Sequence, residues 1–136
     1  MKAKILMVEN DPDDRFLVDE MFRSEDFQAD VDFVYGRELA GYIEDTPQRP
    51  HLILLSVNAQ PYDANSLIRL LRETEGYRSI PIVVLSESDL PSEVEKTYRT
   101  GANSYIKKPD NYADTIFKIK TFIHYWFRTV ELPEAQ

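Results

Sequence analysis

His51-Leu52-Ile53-Leu54-Leu55-Ser56-Val57 is a short, nearly unbroken apolar run, bounded by Arg49-Pro50 before it and Asn58-Ala59-Gln60-Pro61 after it. A run of this length without alternation belongs to a strand covered on both faces, as in a parallel sheet flanked by helices. Ser56 interrupts the run close to its C-terminal end. In open α/β folds, ligands and chemistry sit at the C-terminal ends of the strands. Read as the central strand, the run therefore makes Ser56 the position from which function has to be argued.

Working outward, Ile5-Leu6-Met7-Val8 is a second buried strand that runs into the acidic turn Glu9-Asn10-Asp11-Pro12-Asp13-Asp14. Asp11 before Pro12 is a helix start, an N-cap acceptor followed by proline at the first helical position. Asp13 and Asp14 suit the positive end of the helix dipole. The helix is expected to reach Ser24 with Leu17, Val18 and Met21 inward. Val31 to Val34 alternates as an outer strand, and a short helix around Leu39, Ala40 and Ile43 is expected from Arg37 to Glu44.

Beyond the central strand, Asp63 or Asn65 can cap a helix carrying Leu67, Leu70 and Leu71. Ile82-Val83-Val84-Leu85 is a fourth strand ending in Ser86, and a polar loop to Pro91 precedes a helix from Ser92 to Thr100 that Gly101 terminates. Ser104 to Lys107 is the last strand, closed by Lys108-Pro109. The final helix is expected from Tyr112 to Val130, with a loose tail over 131–136. Strands alternating with helices predict a single α/β domain over 1–136, a (βα)5 doubly wound five-stranded parallel sheet of order 2-1-3-4-5.

The 136 residues suit one core. A formal charge of -8, from 24 acidic and 16 basic residues, opposes nucleic-acid binding, which needs Lys and Arg to neutralise phosphates. Without cysteine there is no disulfide framework or thiolate metal site. No signal peptide is evident, and no run approaches the ~20 apolar residues of a membrane span. A cytoplasmic location is expected.

The strand ends collect Glu9-Asn10-Asp11, Ser56, Ser86 and Lys108-Pro109. With Ile5 to Asp14, Leu52 to Ser56, Pro81 to Ser86 and Gly101 to Pro109 in this order and spacing, the chain resembles the receiver domain of bacterial response regulators, the CheY-like family. The long aromatic last helix is most similar to receivers that partner phytochrome-type kinases. The resemblance implies the flavodoxin-like fold and a Mg²⁺ site made by two acidic residues after the first strand and an aspartate on the third. That aspartate accepts phosphate from a histidine kinase. A hydroxyl after the fourth strand and a lysine after the fifth contact the phosphoryl group, and an aromatic on the fifth strand changes rotamer on activation. Carried over, the acidic pair falls on Glu9 and Asn10, the acceptor on Ser56, the hydroxyl on Ser86, the aromatic on Tyr105 and the lysine on Lys108.

Two positions depart from that pattern. Asn10 carries no charge, and Ser56 is not the carboxylate that acyl-phosphate formation requires. His51 lies at the wrong end of its strand, and His124 far along the last helix, so neither is a base for the serine. Mg²⁺ prefers carboxylate ligands, which leaves Glu9 with Asp11 as the weak candidate ligands, and Asp11 reads first as a helix N-cap. Neither Mg²⁺ nor another cofactor is therefore expected. Ser56 reads as an inert polar strand end, and Lys108, without a phosphate, is expected to pair with Glu9.

The leading reading is a non-enzymatic pseudo-receiver in two-component signalling, acting by protein contacts with a histidine kinase or another signalling protein. The alternative is a response regulator phosphorylated at a non-standard residue, or one with an altered acceptor. A flavodoxin-like cofactor binder needs a phosphate loop that the acidic turn would repel. On the last helix Ile116, Ile119, Ile123, Trp126 and Val130 make the core stripe. The surplus of Phe117, Phe122, Tyr125 and Phe127 suggests an interface. A homodimer burying Phe122, Tyr125 and Trp126 is expected through the fourth helix, fifth strand and last helix.

Overall fold

The computed structural model describes residues 3–24, 29–57 and 63–133, and for Ser24 and Tyr112 the backbone alone. The turn Asn58-Ala59-Gln60-Pro61 and the last three residues of the tail lie outside the described residues. Five parallel strands form one sheet in the order β2-β1-β3-β4-β5. They are β1 (Ala3–Val8), β2 (Ala29–Val34), β3 (Leu52–Ser56), β4 (Ile82–Ser86) and β5 (Ser104–Lys107). The helices between and after them are α1 (Pro12–Ser24), α2 (Leu39–Asp45), α3 (Ala64–Glu73), α4 (Pro91–Thr100) and α5 (Tyr112–His124). This is the expected doubly wound arrangement, and none of these helices is long and apolar enough to cross a membrane.

Every residue of β3 and β4 is buried, because successive side chains of a central strand meet a helical layer on either face. Leu6, Val8, Ile53, Leu55 and Val84 pack with Leu39, Leu67, Ile68 and Leu71 of α2 and α3. Ile5, Met7, Leu52, Leu54 and Leu85 meet Val18, Met21 and Phe22 of α1 and Ile119, Phe122 and Ile123 of α5. The register sets Val8 beside Leu55, Ser56 beside Leu85, and Ser86 beside Lys107. All the strands therefore end at one edge, and their C-terminal residues converge there.

Four details differ from the sequence expectation. A 3₁₀ turn over Gly36–Glu38 precedes α2, and Ala40 faces solvent while Tyr42 packs inward beside Leu39 and Ile43. Tyr42 also donates its hydroxyl to Asp32 at 2.7 Å, a bond no apolar count could reveal. α4 takes in Pro91 as its first residue, where the missing N–H costs nothing. The last helix gives way after His124 to a π-wound segment, Tyr125–Thr129, in which Val130 N–H donates to Tyr125 O.

The fourth difference concerns Phe122, which is only 6% exposed. It sits edge-on to Phe22 at 6.5 Å between ring centroids. At about 100° per residue, position 122 falls about 60° from 119 and about 40° from 126, at the edge of the inward face. Phe122 is therefore a core residue and not a free interface side chain. Phe117 and Tyr125 face outward instead, 70% and 47% exposed.

Arg72 near the end of α3 ties two loops to its helix. Its guanidinium donates to Gly101 O (2.8 and 3.0 Å), Ile80 O (2.8 Å) and Asn103 Oδ1 (2.7 Å). Asn103 Oδ1 also accepts from Ile82 N–H at 2.8 Å, so one side chain links α3, the entry to β4 and the turn into β5. Gly101 has φ of +135°, a backbone conformation that glycine adopts without strain. Burial holds the Arg72 guanidinium below its ordinary pKa.

Candidate functional site

Hydrogen bonds that continue the sheet past its strands hold the site residues in place. Glu9 N–H donates to Val34 O (3.0 Å), Val57 N–H to Leu85 O (2.9 Å) and Lys108 N–H to Ser86 O (2.6 Å). The peptides around Glu9, Ser56 and Lys108 therefore inherit the rigidity of the sheet. From this frame the Lys108 ammonium reaches Glu9 Oε1 at 3.2 Å, Asp14 Oδ2 at 2.8 Å and Ser56 Oγ at 3.2 Å.

Glu9 and Ser56 are fully buried. A buried carboxylate needs a paired positive charge, and Lys108, its side chain 17% exposed, provides one. Burial works against the charged ammonium. The hydrogen bond to Asp14 and the charges of Glu9 and Asp14 outweigh it and raise the Lys108 pKa above its ordinary value.

The sequence expectation of a Glu9–Lys108 pair is met, with Asp14 as a second carboxylate partner that was assigned only to the helix dipole. A signal for it existed. Asp14 lies four and seven residues before Val18 and Met21, on the stripe that α1 turns towards the sheet.

Asn10 and Asp11 are drawn elsewhere. Asn10 Oδ1 accepts from Gly36 N–H at 3.1 Å, bracing the chain after β2. Asp11 Oδ1 accepts from Asp13 N–H at 2.9 Å, so it is the N-cap of α1, and its own N–H donates to Glu9 Oε2 at 3.1 Å. Arg15 closes the turn by donating to Glu9 O at 2.8 Å, and its guanidinium stacks 4.2 Å from the centroid of the Tyr35 ring.

Ser86 and Tyr105 form a second group, centred on Ser88. Ser86 Oγ accepts from Ser88 N–H at 3.1 Å, and the Tyr105 hydroxyl donates to Ser88 O at 2.7 Å. The hydroxyl and aromatic positions thus grip the two sides of one residue in the β4–α4 loop. Ser88 was part of a polar loop in the sequence and gave no sign of this role.

The Mg²⁺ that the family resemblance implies finds a poor donor set. Mg²⁺ needs close to six oxygens at ~2.0–2.1 Å. Both oxygens of Glu9 carry N–H donors, from Lys108 and Asp11. Asp11 Oδ1 serves the helix cap, Asn10 is uncharged and turned to Gly36, and Ser56 brings a hydroxyl. Among the described residues no cluster of three or more Asp, Glu, His or Cys side chains is arranged to hold a metal. These residues do not fit the ion.

A parallel 2-1-3-4-5 sheet with a lysine reaching from the fifth strand to the end of the first defines a receiver-type signalling domain. The chain belongs to the response regulator receiver domain family, whose pattern matches residues 5–120. It is 28% identical to response regulator Rcp1 of Synechocystis, over 96% of this chain and 93% of that protein. The structure of phosphorylated RcpA, a cyanobacterial phytochrome response regulator, superposes with a TM-score of 0.91 at 27% identity, over 98% of this chain and 100% of that one. A response regulator in red light signaling of R. palustris gives a TM-score of 0.85 at 30% identity, covering 97% and 99%. The fold is CheY-like.

Proposed function

We propose that this receiver domain signals as a pseudo-receiver, through protein contacts and without phosphoryl transfer. The observation that carries the reading is Ser56. A buried hydroxyl, bonded to an ammonium, stands at the strand end where the family resemblance puts the acceptor aspartate. A serine Oγ becomes a nucleophile when a base removes its proton, and the cation at 3.2 Å cannot accept one. The chain is not an enzyme on this reading, and it uses neither Mg²⁺ nor another cofactor. The cavity next to Lys108, walled by Met7, Leu17, Leu85 and Phe122, measures about 50 Å³. Sites for drug-sized ligands and cofactors run to roughly 300–1,000 Å³, so a flavodoxin-like role has little support.

The partner is a histidine kinase or another signalling protein, in the cytoplasm, with no part for nucleic acid. Rcp1 is known in a Mn²⁺-bound form and RcpA in a phosphorylated one, while this chain has Ser56 where the family resemblance puts the acceptor aspartate. A second copy of the chain docks on the face made by α4, β5 and α5. A groove of about 480 Å³ runs there between Tyr98, Tyr105, Phe117, Tyr125 and Trp126, and Tyr98, Phe117 and Tyr125 are 47%, 70% and 47% exposed.

Incubation with a small phosphodonor and Mg²⁺, followed by intact mass, tests the central reading. An unchanged mass is expected. A gain of one phosphoryl group located on Ser56 refutes it and favours a response regulator with a non-standard acceptor.

A further inference from the structure

We infer that Lys108 supplies this pocket with its cation: the ammonium bonded to Glu9, Asp14 and Ser56 stands in the place a divalent ion would have to take, and keeps such ions out. The inference rests on the reading of the pocket as one that transfers no phosphate, and it explains how two carboxylates there are held to a single net negative charge.

An ammonium has three donors and no acceptor. All three are met here, by Glu9 Oε1 at 3.2 Å, Asp14 Oδ2 at 2.8 Å and Ser56 Oγ at 3.2 Å. The cation is also placed by the fold, since Lys108 N–H is bonded to Ser86 O at 2.6 Å directly after β5. The ammonium therefore hangs from a fixed point of the sheet.

Glu9, fully buried, already accepts on both oxygens, Oε1 from Lys108 and Oε2 from Asp11 N–H. An incoming ion would have to strip Glu9 and Asp14 from the lysine. It would also sit beside the displaced ammonium in a site that is largely shut from water. The formal charges of Glu9, Asp14 and Lys108 sum to one negative; a divalent ion would turn that into one positive, close to a like charge. A tethered cation is present in every molecule, so the charge of the pocket does not follow the divalent-ion concentration.

Two measurements on the whole chain test this. In the native protein, thermal unfolding in EDTA and in millimolar MgCl₂ should coincide, and Mn²⁺ should leave the amide signals of Glu9 to Asp14 and of Ser56 unbroadened. Lys108→Met keeps much of the stem and removes the charge. It should melt below the native chain in EDTA and recover part of the difference in MgCl₂, a response the native chain lacks. Saturable Mn²⁺ broadening in the native protein overturns the inference. So does a folded Lys108→Met that melts with the native chain in EDTA, or that ignores MgCl₂.

Should Lys108→Met fail to fold, the broadening measurement on the native chain decides alone. The phosphodonor experiment is separate. Phosphorylated Ser56 in a protein without Mn²⁺ broadening ends the pseudo-receiver reading and leaves Lys108 as the pocket's cation, whereas broadening without phosphorylation does the reverse.

Discussion

Phe117→Ser should dissolve the twofold dimer while leaving the monomer folded. Phe117 is 70% exposed on α5, so its removal opens no cavity within the chain. A fully open aromatic side chain presents about 200 Å², of which Phe117 leaves some 70%, about 140 Å², to solvent. Covering all of it would contribute about 3.5 kcal/mol at ~25 cal/mol per Å², and partial cover about 2 kcal/mol. A twofold interface uses each residue twice, so one substitution removes about 4 kcal/mol and raises Kd roughly a thousandfold. Sedimentation equilibrium across the micromolar range measures this directly, with far-UV circular dichroism confirming that the variant is folded. Phe16→Ser is the control, since Phe16 is 68% exposed on α1 and lies outside the groove. A native chain that sediments as a 15.9 kDa monomer throughout refutes the dimer. A Phe117→Ser variant whose Kd stays within about threefold of native, well short of the shift that area predicts, refutes the choice of face.

Three further outcomes are expected. Ser56→Asp should label weakly with acetyl phosphate and Mg²⁺, and Ser56→Asp with Asn10→Asp should label better, because an aspartate at position 10 can still accept from Gly36 N–H; a folded double variant that never labels places the acceptor elsewhere. Arg72→Met should cost about 2–6 kcal/mol, since the Gly101 and Ile80 carbonyls lose their donor at ~1–3 kcal/mol each, and should lower Tm by roughly 10 °C; an unchanged melting curve would mean that water replaces the guanidinium. Folded Lys108 holds its proton to a higher pH than an unfolded lysine, which titrates near ~10.4. Its contribution is therefore complete below that pH and is lost as pH climbs through the folded value. Urea unfolding of the native chain and Lys108→Met should differ by a constant amount from neutrality to about pH 10, and a difference that fades between pH 7 and 9 contradicts the pairing.

Much of this molecule follows from local pattern. The unbroken apolar runs at Ile5–Val8, Leu52–Leu55 and Ile82–Leu85 require a strand buried on both faces, and intervening helices then leave a parallel sheet as the economical solution. Asp11 before Pro12, Asp63 before α3 and Gly101 after α4 punctuate the helices through backbone chemistry that acts within a few residues, and all three hold. The candidate site was legible as a set of strand ends, because a parallel sheet brings those ends to one edge whatever its details.

What depended on tertiary structure is the pairing of side chains across that edge. Lys108 meets Asp14 over a sequence separation of 94 and Ser56 over 52, distances at which no periodicity carries information. Asp14 read as a helix-dipole residue until the register of β1 against β3 and of β4 against β5 set an ammonium beside it. Phe122 and Phe117 are both aromatics on α5, and the packing of that helix against α1 sets the first against Phe22 and leaves the second in solvent. Arg72 could not be singled out from other surface-type arginines, because its acceptors are backbone carbonyls of two distant turns. Composition and spacing fix which elements form; the partners of a long, charged side chain are decided by where the packed elements leave an acceptor within its reach.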